Sequence, residues 1–228
     1  MELSLNLQDP IVVVDTETGG LNPGESVEWS LDRSNIKIGD RIAGKFIKHA
    51  APILELGAVI LNPFNLEEVA EFHAICGPEK KEPFKDFISK CTPEALNING
   101  FESRLDELRK APPTSQVLKN FIGWLPTTKT GRPKFIPSGQ NARYDIDMIN
   151  HACMRFGINF QVTHHPLELM SFSLLYFGLK DTEIVANHRL TTVASALGIS
   201  TENAHTALAD VRMTAECLRK MFYRLSRS

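Results

Sequence analysis

The spacing of hydrophobic residues predicts strands in the first third of the chain and mainly helices after it. Residues 10–15 form a short β-branched run, which is typical of a buried central strand. The apolar run at residues 53–61 and the alternating run at residues 69–76 predict two further strands. The turn-like residues 62–65 between them predict an antiparallel hairpin, and residues 134–137 predict a short strand later in the chain.

Helical spacing dominates from residue 92 onwards. Thr92-Pro93-Glu94 predicts a helix start, with Pro93 at the first helical position. Apolar residues at intervals of three and four then predict a helix that stops at Gly157. Further helices are predicted at residues 115–124, 190–197 and 206–225. Strands followed by alternating helices and strands are typical of an α/β domain with a mixed sheet.

A single domain is predicted for the whole chain, residues 1–228, with one insertion. Residues 21–51 are a long segment of mixed charge between two predicted strands, and loops of this length are uncommon in compact domains. Hydrophobic residues make up 43% of the sequence and charged residues 23%, a composition that excludes wholesale disorder.

The sequence also argues against a membrane or secreted protein. Its longest apolar runs are far shorter than the ~20 residues that span a bilayer, and its first residues lack the features of a signal peptide. The four cysteines contain no C-x-x-C pair, which argues against a zinc ribbon or a disulfide scaffold. We therefore expect reduced thiols, a cytoplasmic location and no membrane partner.

Charge is balanced over the whole chain but uneven along it. A net charge of −2 argues against nucleic-acid binding by the whole surface. Two stretches are nevertheless basic and contain no acid, residues 119–134 and the C-terminal helix end at residues 219–227. Their bases are Lys119, Lys129, Arg132 and Lys134, and Arg219, Lys220, Arg224 and Arg227. From charge alone, both contact with a phosphate backbone and simple solvation remain open.

Three acidic motifs carry the candidate chemistry. Asp15 and Glu17 end the first strand, where residues two apart point to the same side, and hard divalent ions take such oxygen ligands. Asp145 lies near a helix start. His205 and Asp210 would lie about 140° apart on one helix, so they share a site only if His205 precedes that helix. Taken singly, the acids are also explained by turn or helix-terminus hydrogen bonds, and the histidine by a surface position.

The order D-x-E, N-x-x-x-D, H-x-x-x-x-D resembles the motifs of the DEDDh (DnaQ-like) 3′–5′ exonuclease family. That family includes the proofreading subunit of bacterial DNA polymerase III and RNase T. The matching segments are residues 13–20, 139–145 and 204–210. Two more segments, residues 53–59 and 92–101, are similar to the family's second strand and its substrate-side helix and loop. The resemblance covers residues 11–221.

The resemblance implies an RNase H-like mixed five-stranded sheet flanked by helices and a two-metal-ion nuclease. Mg²⁺ or Mn²⁺ would be held by four carboxylates, with the first ion on Asp15, Glu17 and Asp210 and the second on Asp15 and Asp145. His205 would act as the general base. The expected reaction is phosphodiester hydrolysis at the 3′ end of single-stranded DNA, with a polymerase or repair protein as partner.

The same resemblance implies six substrate contacts, which are Thr18, Gly19, Gly20, Asn99, Phe101 and Asn141. Phe101 is interpreted either as a base-stacking residue or as packing, and the glycine pair either as a contact or as a turn. Gln140 and residues 99–101 depart from the family's usual His-Asn and His-Gly-Ile, which affects substrate choice. Glu55 is interpreted as a support of the metal site or as a salt-bridge partner.

Three other functions stay open from the sequence. The first is an RNA 3′-end trimming exoribonuclease. The second is a non-catalytic nucleic-acid or protein-binding module on the same fold. The third, a haloacid dehalogenase-type phosphatase, also begins with a strand and an acidic motif, but the H-x-x-x-x-D element has no role in its chemistry.

Overall fold

One mixed sheet of five strands, in the order β3-β2-β1-β4-β5, organises the part of the chain that the structure describes. The computed structural model describes residues 7–21, 50–160, 162, 165–179, 185–202 and 204–226. The predicted insertion at residues 21–51 therefore lies almost entirely outside the described residues. Within the described ranges, no helix is both long and apolar enough to cross a membrane.

The central strand β1 is where the first apolar run was predicted. It pairs antiparallel with β2 and parallel with β4. The antiparallel β2–β3 hairpin confirms the prediction from residues 62–65, and β5 adds a short parallel edge to β4. The strands are β1 Ile11–Thr18, β2 Ile53–Leu61, β3 Glu68–Ile75, β4 Ile136–Gly139 and β5 Leu167–Glu168.

Helices cover both faces of this sheet because alternate residues of β1 point to opposite sides. Ile11 and Val13 pack into a core with α6, α7 and α8, while Val12 and Val14 pack into a second core with α4 and α5. The helices are α1 Phe84–Ile88, α2 Pro93–Ile98, α3 Leu105–Lys110, α4 Thr114–Trp124, α5 Ala142–Arg155, α6 Leu169–Gly178, α7 Leu190–Ala196 and α8 Ala207–Leu225.

The predicted elements are largely confirmed, but the positions of strand β5 and of helices α1, α3 and α6 were not predicted. Strand β4 begins at Ile136, two residues later than predicted, because it aligns with β1 from Ile11 onwards. Helix α6 was not predicted, since its apolar residues surround the helix and leave no amphipathic period. Helix α2 begins at Pro93 as expected, and the Thr92 hydroxyl accepts a hydrogen bond from the Ala95 amide.

Candidate active site

Three predicted carboxylates meet at the carboxyl end of β1. Asp15 and Glu17 come from the strand and Asp210 from the first turn of α8, and their ligand oxygens lie within 4.8 Å of one another. Below, these three residues are called the carboxylate cluster. The N-terminus of α8 is fixed by Thr206, whose hydroxyl accepts a hydrogen bond from the Ala209 amide at 3.3 Å.

Gly57 allows α8 to begin this close to the sheet. It lies directly opposite Asp15 in the β1–β2 pair. A Cβ atom at Gly57 would lie 2.5 Å from the Ala207 carbonyl carbon, which is closer than real side chains approach backbone. Any other residue there would push the start of α8, and with it Asp210, away from Asp15. This contact was not predictable from the sequence, because Gly57 lies inside an apolar strand pattern.

Burial and mutual repulsion make the cluster unfavourable in its charged, metal-free form. Burial is the main cause that raises the pKa of Asp15 well above its ordinary range, followed by the charges of neighbouring acids. Burial and then the charge of Asp210 raise the pKa of Glu17 to about 7. Burial likewise raises the pKa of Asp210. Clustered carboxylate oxygens of this kind fit a hard divalent cation, which would replace the protons.

Asp145 reaches the same strand end from the opposite face of the sheet. Its side chain is 3% exposed, and Oδ1 accepts hydrogen bonds from the Thr16 amide at 2.8 Å and the Thr16 hydroxyl at 2.7 Å. Among the described residues it is not part of the cluster, although its charge raises the pKa of both Asp15 and Glu17. Asp145 therefore acts on the cluster through its charge, at a position fixed by β1.

A different acid caps the helix that carries Asp145. Asn141 has a left-handed backbone with a φ of 60°, and both its amide and that of Ala142 donate to Glu168, each at 2.7 Å. Glu168 comes from β5 and was not identified from the sequence. The capping role that the sequence left open for Asp145 is therefore filled by Glu168.

His205 stands in the loop before α8, which is the position that a shared site with Asp210 requires. It has a left-handed backbone with a φ of 74°, and its amide donates to Asp210 Oδ1 at 3.3 Å. Its imidazole is exposed and has no hydrogen-bond partner among the described residues. His205 thus lies next to Asp210 of the carboxylate cluster, with its side chain accessible to a ligand.

A cleft of about 540 Å³ opens beside the cluster. Tyr144 and Thr18 shape its floor, because the hydroxyls of both donate to the Gly20 carbonyl at 2.9 Å. Two apolar side chains lie at its rim, Leu21 at 88% exposure and Ile98 at 61%. The lining consists of Thr16, Glu17, Thr18, Gly20, Leu21, Thr92, Glu94, Ala95, Ile98, Asn99 and Tyr144.

The predicted substrate contacts divide into two groups. Thr18, Gly20 and Asn99 line the cleft, and the Asn99 side chain also donates to the Thr18 carbonyl at 3.0 Å. Gly19 is not part of the lining, and its amide donates to the Pro52 carbonyl at 2.8 Å.

Phe101 corrects the expectation, whereas the role of Asn141 stays a prediction. The side chain of Phe101 is fully buried in a small core with Leu54, Phe87 and Leu108, so base stacking by Phe101 is wrong and the packing interpretation holds. Asn141 is exposed and does not contribute to the lining of the cleft.

The basic C-terminal helix end is also less free than the sequence suggested. Arg219 forms an ion pair with Glu216 at 2.7 Å, and Lys220 donates to the carbonyls of Leu197 and Gly198. The absence of acids within residues 219–227 therefore does not leave Arg219 and Lys220 unpaired, because Glu216 lies just upstream, one helical turn away. Arg227 lies outside the described residues.

In the other basic stretch, Lys134 pairs with Asp9 at 3.0 Å. Lys119, Lys129 and Arg132 are exposed. Lys119, Lys129 and Arg132 thus remain available for surface contact with a phosphate backbone.

Comparison with known proteins identifies the family of this chain. The sequence model of the RNase T exonuclease family matches residues 12–218, which include every member of the carboxylate cluster together with Asp145 and His205. The chain belongs to this exonuclease family. No curated protein sequence matches it. The match confirms the resemblance drawn from the three motifs and leaves the haloacid dehalogenase alternative without support.

Solved structures of exonucleases have the same fold. The zinc-bound E. coli exonuclease I complex with single-stranded DNA has a TM-score of 0.68 at 17% identity and covers 96% of this chain and 42% of its own. A 3′-exonuclease that recognises the histone mRNA stem-loop has a TM-score of 0.62 at 15% identity, covering 98% of this chain and 67% of its own.

A third structure, the nuclease domain of 3′hExo, is a DEDDh family member bound to rAMP. It has a TM-score of 0.64 at 17% identity and covers 97% of this chain and 95% of its own. The predicted RNase H-like fold is therefore confirmed. The chain spans about two fifths of the length of E. coli exonuclease I but matches nearly all of the 3′hExo nuclease domain.

Proposed function

We propose that this chain is a metal-dependent 3′–5′ exonuclease that removes nucleotides from the 3′ end of single-stranded DNA. The carboxylate cluster carries the proposal, because it lies beside a cleft within a sequence that matches an exonuclease family. Phosphodiester hydrolysis requires an attacking water, charge stabilisation around phosphorus and a proton acceptor. The described residues offer a group for each requirement.

Two Mg²⁺ or Mn²⁺ ions are the proposed cofactors. Asp15, Glu17 and Asp210 would hold one ion, since their oxygens are already close enough to bind a common cation. Asp15 and Asp145 would hold the other, with Asp145 kept in place by Thr16. When bound, such ions stabilise the negative charge that develops on the phosphate and the leaving oxygen.

His205 is the proposed general base. Its exposed imidazole accepts a proton from the attacking water on one ring nitrogen, while the water oxygen forms a bond to phosphorus. The bond between phosphorus and the 3′-oxygen of the penultimate nucleotide breaks, and this oxygen takes a proton from solvent water. The products are a nucleoside 5′-monophosphate and a shortened strand with a new 3′-hydroxyl.

The cleft fits one terminal nucleotide. A volume of about 540 Å³ is in the range of small-ligand sites, and a duplex end would have to separate before one nucleotide entered. Leu21 and Ile98 offer apolar surface to a base at its rim. Thr18 and Gly20 line the cleft together with Glu17 and would contact the terminal sugar and phosphate.

DNA is placed before RNA because exonuclease I bound to single-stranded DNA or to DNA oligonucleotides is among the structures that match this fold. RNA 3′-end trimming is the second candidate, because the rAMP-bound 3′hExo nuclease domain matches this chain over almost its whole length. A polymerase or repair partner and a cytoplasmic location complete the proposal, and cell fractionation with co-purification tests both.

One assay tests the proposed reaction. Single-stranded DNA and RNA of the same sequence, each labelled at the 5′ end, are incubated with the protein and Mg²⁺, Mn²⁺ or EDTA. The expected result is a ladder of products shortened one nucleotide at a time, faster on DNA and absent with EDTA. Asp15→Ala is the control. Equal cleavage of circular single-stranded DNA would refute the exonuclease, and faster cleavage of RNA would replace the first candidate with the second.

A further inference from the structure

Glu55 is a fourth acid on the face of the sheet that carries the carboxylate cluster. It lies on β2 directly opposite Glu17 in the antiparallel pair. Residues opposite each other in such a pair share a face and have Cβ atoms about 4.5–5.5 Å apart. The side chain is 3% exposed, so water does not solvate it freely.

One oxygen of Glu55 is fixed and the other is free. Oε1 lies 2.6 Å from Nε2 of His73, a residue of the neighbouring strand β3 whose own side chain is 38% exposed. Oε2 is buried and has no hydrogen-bond partner among the described residues. A buried carboxylate oxygen without a partner is rare in folded proteins, so this atom points to a ligand beyond the protein.

The free oxygen belongs to a carboxylate close to the cluster. Burial raises the pKa of all three cluster residues, and the charge of Glu55 adds to the rise in each of them. The same interaction would be favourable toward a cation bound by the cluster. Because His73 holds Oε1, the orientation of Oε2 does not depend on that cation.

We propose that Glu55, held by His73, is a positioning residue of the metal centre and that its Oε2 accepts a hydrogen bond from a water bound to the ion. This inference rests on the proposed function. A water on a cation directs its hydrogens outward, so it needs an acceptor at this place. Carboxylates that contact an ion through water typically change metal affinity ~10–100-fold when they are replaced.

Glu55→Gln tests this directly, because the amide keeps the size and the His73 contact but presents an N–H₂ donor where the acceptor Oε2 was. Mn²⁺ titration without nucleic acid, by calorimetry, should show an affinity ~10–100-fold weaker than wild type. The melting temperature without metal should stay the same or rise, since one repelling charge is gone. A carboxylate with only a structural role gives the opposite pattern, lower stability with unchanged affinity.

Two variants of His73 test whether its contact with Glu55 is needed for metal binding. They also test the role of Glu55 if Glu55→Gln fails to fold. His73→Leu, at a partly exposed position of β3, should weaken Mn²⁺ binding. His73→Gln, which keeps a donor, should bind close to wild type. Glu71→Gln is the matched control, because Glu71 is an exposed acid on the same strand that pairs with Arg212 instead. It should bind Mn²⁺ like wild type.

The outcomes separate this inference from the proposed function. If wild type and Asp15→Ala both fail to bind Mn²⁺, the proposed metal-dependent function fails and this inference with it. If wild type binds Mn²⁺ and Asp15→Ala does not, but Glu55→Gln or, failing that, His73→Leu binds as tightly as wild type, only the role of Glu55 is overturned.

Discussion

Helices α5 and α8 each bring an aspartate to the carboxyl end of β1, from opposite faces of the sheet. On the α5 side, Asp145 is buried and its Oδ1 accepts two hydrogen bonds from Thr16 at 2.7 and 2.8 Å. On the α8 side, Asp210 is half-buried, and its one hydrogen-bond donor among the described residues is the His205 amide, at 3.3 Å. The two acids have equivalent places in the motifs but different hydrogen-bond environments.

The difference shows how an aspartate near a helix start can serve an ion site instead of capping its own helix. Glu168 caps α5 and Thr206 caps α8, so neither aspartate is needed for the free amides of its own helix. Asp145 is then held by two short hydrogen bonds from the strand, whereas Asp210 accepts one long hydrogen bond from His205 and takes part in the cluster. Protein donors thus fix Asp145 in place before an ion binds, while Asp210 depends more on a cation to neutralise its charge.

The largest expected effects are those of replacing the two aspartates, Asp210 and Asp145, and the two variants should differ in stability. Asp210→Ala should lower turnover roughly 10⁴-fold or more, because the lost metal stabilisation amounts to several kcal/mol. Its melting temperature without metal should stay the same or rise, since a repelling charge is removed, and the rise caused by Mn²⁺ should disappear. Asp145→Ala should also lower turnover, but it should lose about 1–3 kcal/mol of stability because Thr16 is left with unpaired buried donors.

Thermal denaturation with and without Mn²⁺, together with the strand-shortening assay, measures these differences. Asp147→Ala on α5 is the control, because that acid forms an exposed pair with Arg143 and should change little. If Asp210→Ala and Asp145→Ala destabilise the metal-free protein equally, the contrast between a fixed and a free carboxylate is wrong.

His205, in the loop before α8, is expected to affect proton transfer rather than metal binding. His205→Ala should lower kcat by ~10²–10⁴-fold, the usual range for a lost general base. It should leave the Mn²⁺-induced rise in melting temperature nearly intact, because the imidazole is not part of the carboxylate cluster. Steady-state rates and thermal shifts on one protein preparation measure both quantities. Activity within a few-fold of wild type would show that the histidine is only a loop residue.

Most of the fold was predictable because the strands carry their own periodic signal. Strand β2 has the predicted bounds Ile53–Leu61, and the three acidic motifs lie at the predicted ends of β1, α5 and α8. Helix α6 was not predictable, because its sequence is apolar on nearly all sides and helical periodicity needs a polar face.

The parts of the site that the sequence missed depend on contacts between distant segments. Nothing next to Gly57 reveals that the backbone of Ala207 packs on it, and nothing next to Glu168 reveals that it caps α5. Phe101 was ambiguous for the same reason, since an aromatic residue beside a glycine fits both a binding loop and a core. The motifs identified which residues carry the chemistry, but not which residues hold them.

The stability of the metal-free protein should depend on pH, because the pKa of Glu17, which lies on the face of the sheet covered by α8, is raised. Between its ordinary value of 4.5 and about 7, the folded metal-free protein holds a proton that the unfolded chain has released. The contribution of Glu17 to the stability of the metal-free protein therefore falls as the pH rises through this window. A divalent ion replaces the proton, so the Mn²⁺-induced rise in melting temperature should be larger at pH 8 than at pH 5.5. An equal rise at both values would show that the metal does not compete with these protons.

The smallest effect is expected at Tyr144, which acts on the cleft rather than on either aspartate. Its hydroxyl donates to the Gly20 carbonyl at 2.9 Å and lies 2.8 Å from the Thr18 hydroxyl, so it holds the segment that forms the cleft floor. Tyr144→Phe removes a hydrogen bond of about 0.5–1.5 kcal/mol, which corresponds to a ~2–10-fold higher KM with kcat nearly unchanged. The combination with Thr18→Val should be less than additive, because both hydroxyls bind the same carbonyl. A loss of kcat as large as that of His205→Ala, with KM unchanged, would instead place the Tyr144 hydroxyl in the chemical step.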